Sequence, residues 1–148
     1  MSVQPDALQR FLDAQEGVVD RAFDELRRGR KSTHWMWFVF PQLVGLGRSR
    51  MAQYYGIGNA AEAAAYWRHP VLGERLRLGV GLVCGHRDRS AREIFGGIDA
   101  VKFRSCLTLF LEVAQDADSD LLVRALAQFY GGEKDPKTLE LLASPADA

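Results

Sequence analysis

The run Ser32-Thr33-His34-Trp35-Met36-Trp37-Phe38-Val39-Phe40-Pro41-Gln42, followed at once by Leu43-Val44-Gly45-Leu46-Gly47-Arg48-Ser49-Arg50, constrains this chain more than any other stretch. It holds two of the three tryptophans, two residues apart. Each ring brings a large apolar face to bury, yet the order of residues has no helical stripe. Phe38-Val39-Phe40 has the composition of a short strand, but Pro41 stops it and no hairpin partner follows. A helical turn or an extended buried stretch is the expected form. The glycine-spaced basic loop behind it is more than a core segment requires. A ligand pocket with an aromatic wall and an anion-binding floor uses both parts, whereas an aromatic core closed by a tight turn uses the first alone.

Around this block the chain reads as helices. Asp6 is placed to cap a helix over 7–16, with Leu8, Phe11 and Leu12 on one face. Val18, Val19, Ala22, Phe23 and Leu26 recur at helical spacing up to Gly29. The basic cluster Arg27-Arg28-Gly29-Arg30-Lys31 at that helix end suits its dipole, or else faces an anion. A short helix is expected over 49–55, and Asn59 caps one over 60–68. His69-Pro70 opens a helix over 71–84, with Leu72, Leu76, Val80 and Val83 as its stripe. Gly79 and Gly81 in that helix suggest close packing of another backbone. Ser90 caps a turn over 91–95, Asp99 a helix over 100–114, Ser119 one over 120–130, and Asp135-Pro136 opens a last one. The residues from Ser144 on are expected to fray. The reading is mainly α: a compact single multihelical domain spanning 1–148, with its core over about 6–143 and a short flexible C-terminal tail.

Charge and hydropathy narrow the function classes. Nineteen basic residues balance nineteen acidic ones, so there is no bulk electrostatic case for a nucleic-acid partner. No apolar run approaches a membrane span, and no basic segment followed by an apolar core opens the sequence. A cytoplasmic location is expected, with Cys84 and Cys106 as reduced, buried thiols. The cysteines and the three dispersed histidines form no metal-ligand pattern, so neither metal nor cofactor is expected. His34 is placed to flank a pocket, His69 to cap a helix, and His86 to sit in a solvated loop. Arg75, at the edge of an apolar stripe, is placed to snorkel, to pair with a carboxylate, or to point into a polar site.

Two segments carry candidate chemistry. In the first, Trp35 or Trp37 offers a face for a flat ring and Gln42 a polar contact. Gly45 and Gly47 let backbone amides turn toward an anion, Arg48 is a phosphate fork, and Ser49 caps a helix whose N-terminus attracts phosphate. Gly-Leu-Gly-Arg-Ser is not a P-loop, since no Gly-Lys-Ser/Thr follows. In the second, Ile98-Asp99-Ala100-Val101-Lys102-Phe103-Arg104-Ser105-Cys106, the residues Asp99, Lys102 and Cys106 fall near one helical face. A lysine among apolar neighbours is a candidate nucleophile or base, with Asp99 to orient it or accept a proton. The alternative is an Asp99 helix cap beside a solvated lysine. Cys106 has no histidine beside it in the sequence.

His34-Trp35-Met36-Trp37-Phe38-Val39-Phe40-Pro41-Gln42, Gly45-Leu46-Gly47, Tyr66 with His69-Pro70-Val71-Leu72-Gly73, Ile94-Phe95-Gly96, Asp99, Lys102, Thr108-Leu109-Phe110, Phe129-Tyr130-Gly131-Gly132 and Thr138-Leu139 together resemble the bacterial domain-of-unknown-function family 1810. The resemblance runs from about Ala7 to Leu142. It implies a small, largely helical cytoplasmic protein and carries no established activity with it. Members are often labelled calpastatin. That name describes a long, disordered, polar inhibitor, which a chain with 47% hydrophobic residues and clear helix stripes does not match. The order of elements is also similar, in outline, to helical hydrolases that act on ADP-ribosyl and N-glycosidic bonds, with Lys102-Phe103 in the place of their Lys-Phe pair.

Three functions compete on these grounds. One is a binding module for a small anionic, nucleotide-like or ADP-ribose-like ligand. Another is a hydrolase in which Lys102 attacks or polarises the sugar carbon. The last is an interaction domain, possible as a homodimer, whose aromatic block is plain core.

Overall fold

Helical periodicity in the sequence becomes ten helices in the computed structural model, which describes residues 7–144. They are α1 Gln9–Gln15, α2 Val19–Arg28, α3 Met36–Val39, α4 Arg50–Tyr55, α5 Ala60–Arg68, α6 Leu72–Cys84, α7 Ala91–Phe95, α8 Gly97–Val113, α9 Ser119–Tyr130 and α10 Pro136–Ala143. No strand occurs among the described residues; a lone parallel bridge joins Leu43 to Ile57. The Asp6 cap, and the expected tail beyond Ser144, lie outside the described residues. Ser144 itself closes α10, its amide donating to Leu141 O.

The longest helix, α8, is the axis of the molecule and packs against α5, α7, α9 and α10. From Phe103 onward it is apolar on nearly every side, with Phe103, Leu107, Leu109 and Phe110 each inaccessible to solvent. A helix without a polar face is stable only when neighbours surround it. Its two buried hydroxyls are satisfied inside the fold: Thr108 Oγ1 donates to Arg104 O at 2.8 Å and accepts the Asp135 amide at 2.9 Å, while Ser105 Oγ reaches Val101 O. Phe40, Phe95 and Phe103 meet with centroids 4.7–5.9 Å apart, tying the aromatic block to α7 and α8.

Several local expectations hold. Ser49, Asn59 and Asp135 cap α4, α5 and α10 through their side chains, and Ser90 forms a full capping box with Glu93. His69 Nδ1 accepts the amides of Val71 and Leu72, as a cap for α6. Others are corrected. Asp99 caps nothing: α8 starts two residues earlier, at Gly97, and Asp99 lies in its first turn. Ser119 is inside α9, whose N-cap Asp118 makes no side-chain capping bond and pairs instead with Arg77. His86 is no solvated loop residue, since its Nε2 lies 2.6 Å from Leu26 O and ties the loop after α6 to α2. Gly79 faces a ring rather than a backbone, since a Cβ there would meet Phe40 Cζ at 3.0 Å, and Gly81 has open space. The close backbone approach is at Gly73, where a Cβ would lie 2.1 Å from Trp67 O, so α6 can turn away from α5 only through glycine.

Arg75 points into a buried polar site that the sequence does not announce. It donates to Gln15 Oε1 at 3.0 Å, and Gln15 Nε2 donates to Phe38 O and to Tyr66 Oη. Gln15 is 1% exposed. This chain of bonds locks the end of the α3 turn against α1 and α5.

Candidate functional site

The aromatic block divides at the α3 turn. Trp35, at its N-cap, is fully buried and donates its indole N–H to Glu25 Oε1 at 2.9 Å. Glu25, on α2 and 4% exposed, also accepts the amides of Ser32 and Thr33 at 2.7 and 2.9 Å. Burial alone would raise its carboxyl. The Thr33 hydroxyl, the two amides and the indole outweigh that and hold it down at about 2. A single buried carboxylate thus anchors the strand of chain entering α3. Trp35 is therefore no ligand wall, because its face is packed against Phe40 and its donor is satisfied.

Trp37, two residues on, faces the other way. Its ring is half-buried, and its Nε1 is the buried side-chain polar atom without a partner among the described residues. It lines a cleft of about 390 Å³ between the α3 turn and the start of α8, together with Lys31, His34, Ile98, Asp99 and Lys102. Lys102 Nζ stands 5.3 Å from the Trp37 ring centroid and 3.7 Å from Asp99 Oδ1. Asp99 Oδ2 is held at 2.8 Å by Lys31, whose side chain is 8% exposed and whose amide donates to Ile94 O. The basic cluster after α2 therefore sends Lys31 inward to the cleft and does not end wholly in solvent. Gly96 opens α8 at φ 83° with no side chain to cap it, leaving the first-turn amides of a long helix beside the same cleft.

A second cleft of about 440 Å³ adjoins the first, sharing Lys102 and Ile98 with it and bounded further by Gln42, Gly47, Asp135 and Lys137. Gly47 is required there, because a Cβ would meet that of Ala52 at 2.7 Å. Of the residues singled out in the sequence, Trp37, Gln42, Gly47, Asp99 and Lys102 thus converge around Lys102. Gly45, Arg48 and Ser49 do not line these clefts. Gly45 makes a turn at φ 99° beside Leu141, Arg48 is exposed with its carbonyl accepting from Gln53, and Ser49 Oγ accepts the Ala52 amide. An anion floor built from this loop is not formed; the cations come from Lys31, Lys102 and Lys137, two of which sequence spacing did not single out. The only hint of Lys31 was its place in the basic cluster.

Cys106 is fully buried, and desolvation pushes its thiol well above the ordinary range, so it is no nucleophile here. Among the described residues no three His, Cys, Asp or Glu side chains converge as a metal site, and no helix is long and apolar enough to cross a membrane.

The family model described as "Protein of unknown function (DUF1810)" matches residues 5–142. The chain belongs to this family. Among solved structures, the fold is similar to the crystal structure of the conserved hypothetical protein Rv1873 from Mycobacterium tuberculosis. Identity is 47%, the match covers 95% of this chain and 99% of that one, and the TM-score is 0.91. No curated protein matches the chain. Within this DUF1810 member, part of the resemblance gathers at one place, since Trp37 and Gln42 from the aromatic block, Gly47, Gly96, Asp99 and Lys102 border the paired clefts, while Tyr66 and residues 69–73, 108–110 and 129–132 lie outside them.

Proposed function

We propose that this protein binds a small anionic, nucleotide-like or ADP-ribose-like ligand in the cleft between Trp37 and Lys102. The observation that carries the reading is Trp37 itself, a half-buried ring whose indole N–H has no partner, in a cleft with a lysine over its face. A buried donor without an acceptor costs about 1–3 kcal/mol, and because the Trp37 N–H is itself closed to solvent, a ligand acceptor recovers that cost through a small shift of the ring on binding. Lys31 and Lys102 outnumber Asp99, and the uncapped start of α8 adds partial positive charge, so the acceptor fits an anion. The aromatic face suits a base or a sugar ring.

Thermal-shift titration with inorganic phosphate, ribose 5-phosphate, ADP and ADP-ribose tests this. A rise in Tm with at least one probe, lost in Lys102→Ala, supports the reading. No rise with any probe at millimolar concentration overturns it.

A hydrolase acting on N-glycosidic or ADP-ribosyl bonds is favoured by one further feature, the Asp99 carboxylate inside the same cleft. A carboxylate beside a bound ribose stabilises the positive charge that grows on the sugar carbon as the bond to the base breaks. Release of free base or ADP-ribose from a bound substrate, abolished in Asp99→Asn with binding retained, would establish that activity.

A further inference from the structure

Two adjoining clefts share a wall, and that wall has a charge at its centre. Lys102 and Ile98 line both. Each cleft then adds one lysine and one aspartate of its own: Lys31 with Asp99 on one side, Lys137 with Asp135 on the other. Both aspartates have an oxygen already engaged, Asp99 Oδ2 by Lys31 and Asp135 Oδ2 by the amide and hydroxyl of Thr138. These bonds fix where each carboxylate stands. Ile98 and Val101 project from the first turns of α8 with 76% and 62% of their surfaces exposed. Apolar side chains so open, on a helix start that borders both clefts, gain most from an occupant that lies across them.

A single sugar phosphate fills one cleft and leaves the other without purpose. From this pairing the geometry points to a two-ended ligand bridged by a diphosphate, with its bridge at Lys102, one sugar-like end in the cleft beside Trp37 and Asp99, and the other beside Gln42 and Asp135. Three lysines against two aspartates leave a positive surplus for the bridge, while the carboxylates accept hydrogen bonds from sugar hydroxyls. Ile98 and Val101 cover the apolar edge of the second end. This rests on the anion-binding reading above and specifies its ligand class.

Isothermal titration calorimetry on the full chain compares ADP-ribose with its halves, AMP and ribose 5-phosphate. ADP-ribose is expected to bind at least about tenfold more tightly than either half, because the second end joins without a second loss of translational freedom. Val101→Trp, at an exposed position, fills the second cleft and is expected to bring ADP-ribose affinity down to that of a half. Lys137→Ala, also exposed, is expected to weaken ADP-ribose several-fold, and in both variants ADP-ribose is expected to lose more affinity than the better-bound half. Equal affinity for ADP-ribose and a half, or full ADP-ribose affinity in both variants, overturns the two-ended ligand and leaves the single anion site intact. Failure of every probe to bind the unaltered protein overturns both.

Discussion

Trp35 and Trp37 belong to one short turn and face opposite fates. Trp35 is inaccessible to solvent, and its donor is one of several gathered on a buried carboxylate. Trp37 is half-buried and its donor has no acceptor, although a lysine stands over each ring, Lys31 5.2 Å from the Trp35 centroid and Lys102 5.3 Å from that of Trp37. Two residues along a helix turn rotate a side chain by about 200°, which is enough to send one ring to the core and its neighbour to the opposite wall. The same residue type at nearly the same place in the sequence therefore serves stability in one case and is free to serve a ligand in the other. What separates them is the acceptor within reach: Glu25 from α2 takes the Trp35 N–H, and no group takes that of Trp37.

The largest effect should fall on the core side. Trp35→Ala removes a fully buried indole and is expected to cost about 3–5 kcal/mol, enough to threaten a domain of ordinary stability, as urea unfolding followed by circular dichroism would show. Trp37→Ala should cost clearly less. Equal losses would erase the distinction between the two rings.

The Glu25 anchor gives the next effect and a pH signature. Its carboxyl sits near 2 in the folded protein against an ordinary 4.5, so the folded state binds fewer protons than the unfolded one in between. The stability it contributes is complete above about pH 4.5 and is lost as pH falls through 2. The gap corresponds to something on the order of 3 kcal/mol. Urea midpoints measured from pH 6 down to pH 3 should fall in the natural protein, while Glu25→Gln should start lower and change less over that range.

A smaller change is expected on the ligand side. Lys102→Ala should weaken a phosphate-bearing probe by about tenfold, or about 1.4 kcal/mol, while moving folding stability by no more than about 1 kcal/mol. The smallest is the sharpest for the comparison. Trp37→Phe deletes a donor that bonds to nothing, so stability should stay within about 0.5 kcal/mol or rise, whereas Trp35→Phe strips Glu25 of a bond and should destabilise. If both substitutions were costly, Trp37 would have a structural partner after all.

The helices were legible because periodicity and caps are local. Asn59, Ser90, Asp135 and His69 are placed where short-range bonding alone puts them. Asp99 misled for a physical reason: two glycines precede it, and a helix can begin on glycine with no side-chain cap, which left Asp99 free to pair with Lys31 from 68 residues away. The site was half legible. Trp37, Gln42, Gly47, Asp99 and Lys102 carried their chemistry in their residue types, but in the loop Gly45–Ser49 the Ser49 hydroxyl serves as a helix cap, the Arg48 carbonyl accepts from Gln53, and Gly45, Arg48 and Ser49 line neither cleft. The buried bonds from Gln15 to Arg75 and Tyr66, and from Glu25 to Trp35, join residues distant or unpatterned in sequence, so no spacing rule marks them.

Ligand binding at Trp37 is tested most directly by following the three indole N–H signals by 15N–1H NMR while ADP-ribose is added. The indoles of Trp35 and Trp67 are bonded to Glu25 and Asp116 inside the protein and serve as internal references. The Trp37 signal is expected to shift progressively with ligand while the Trp35 signal stays in place. A Trp37 signal that does not move at millimolar ligand, or a shift confined to Trp35 or Trp67, would contradict it.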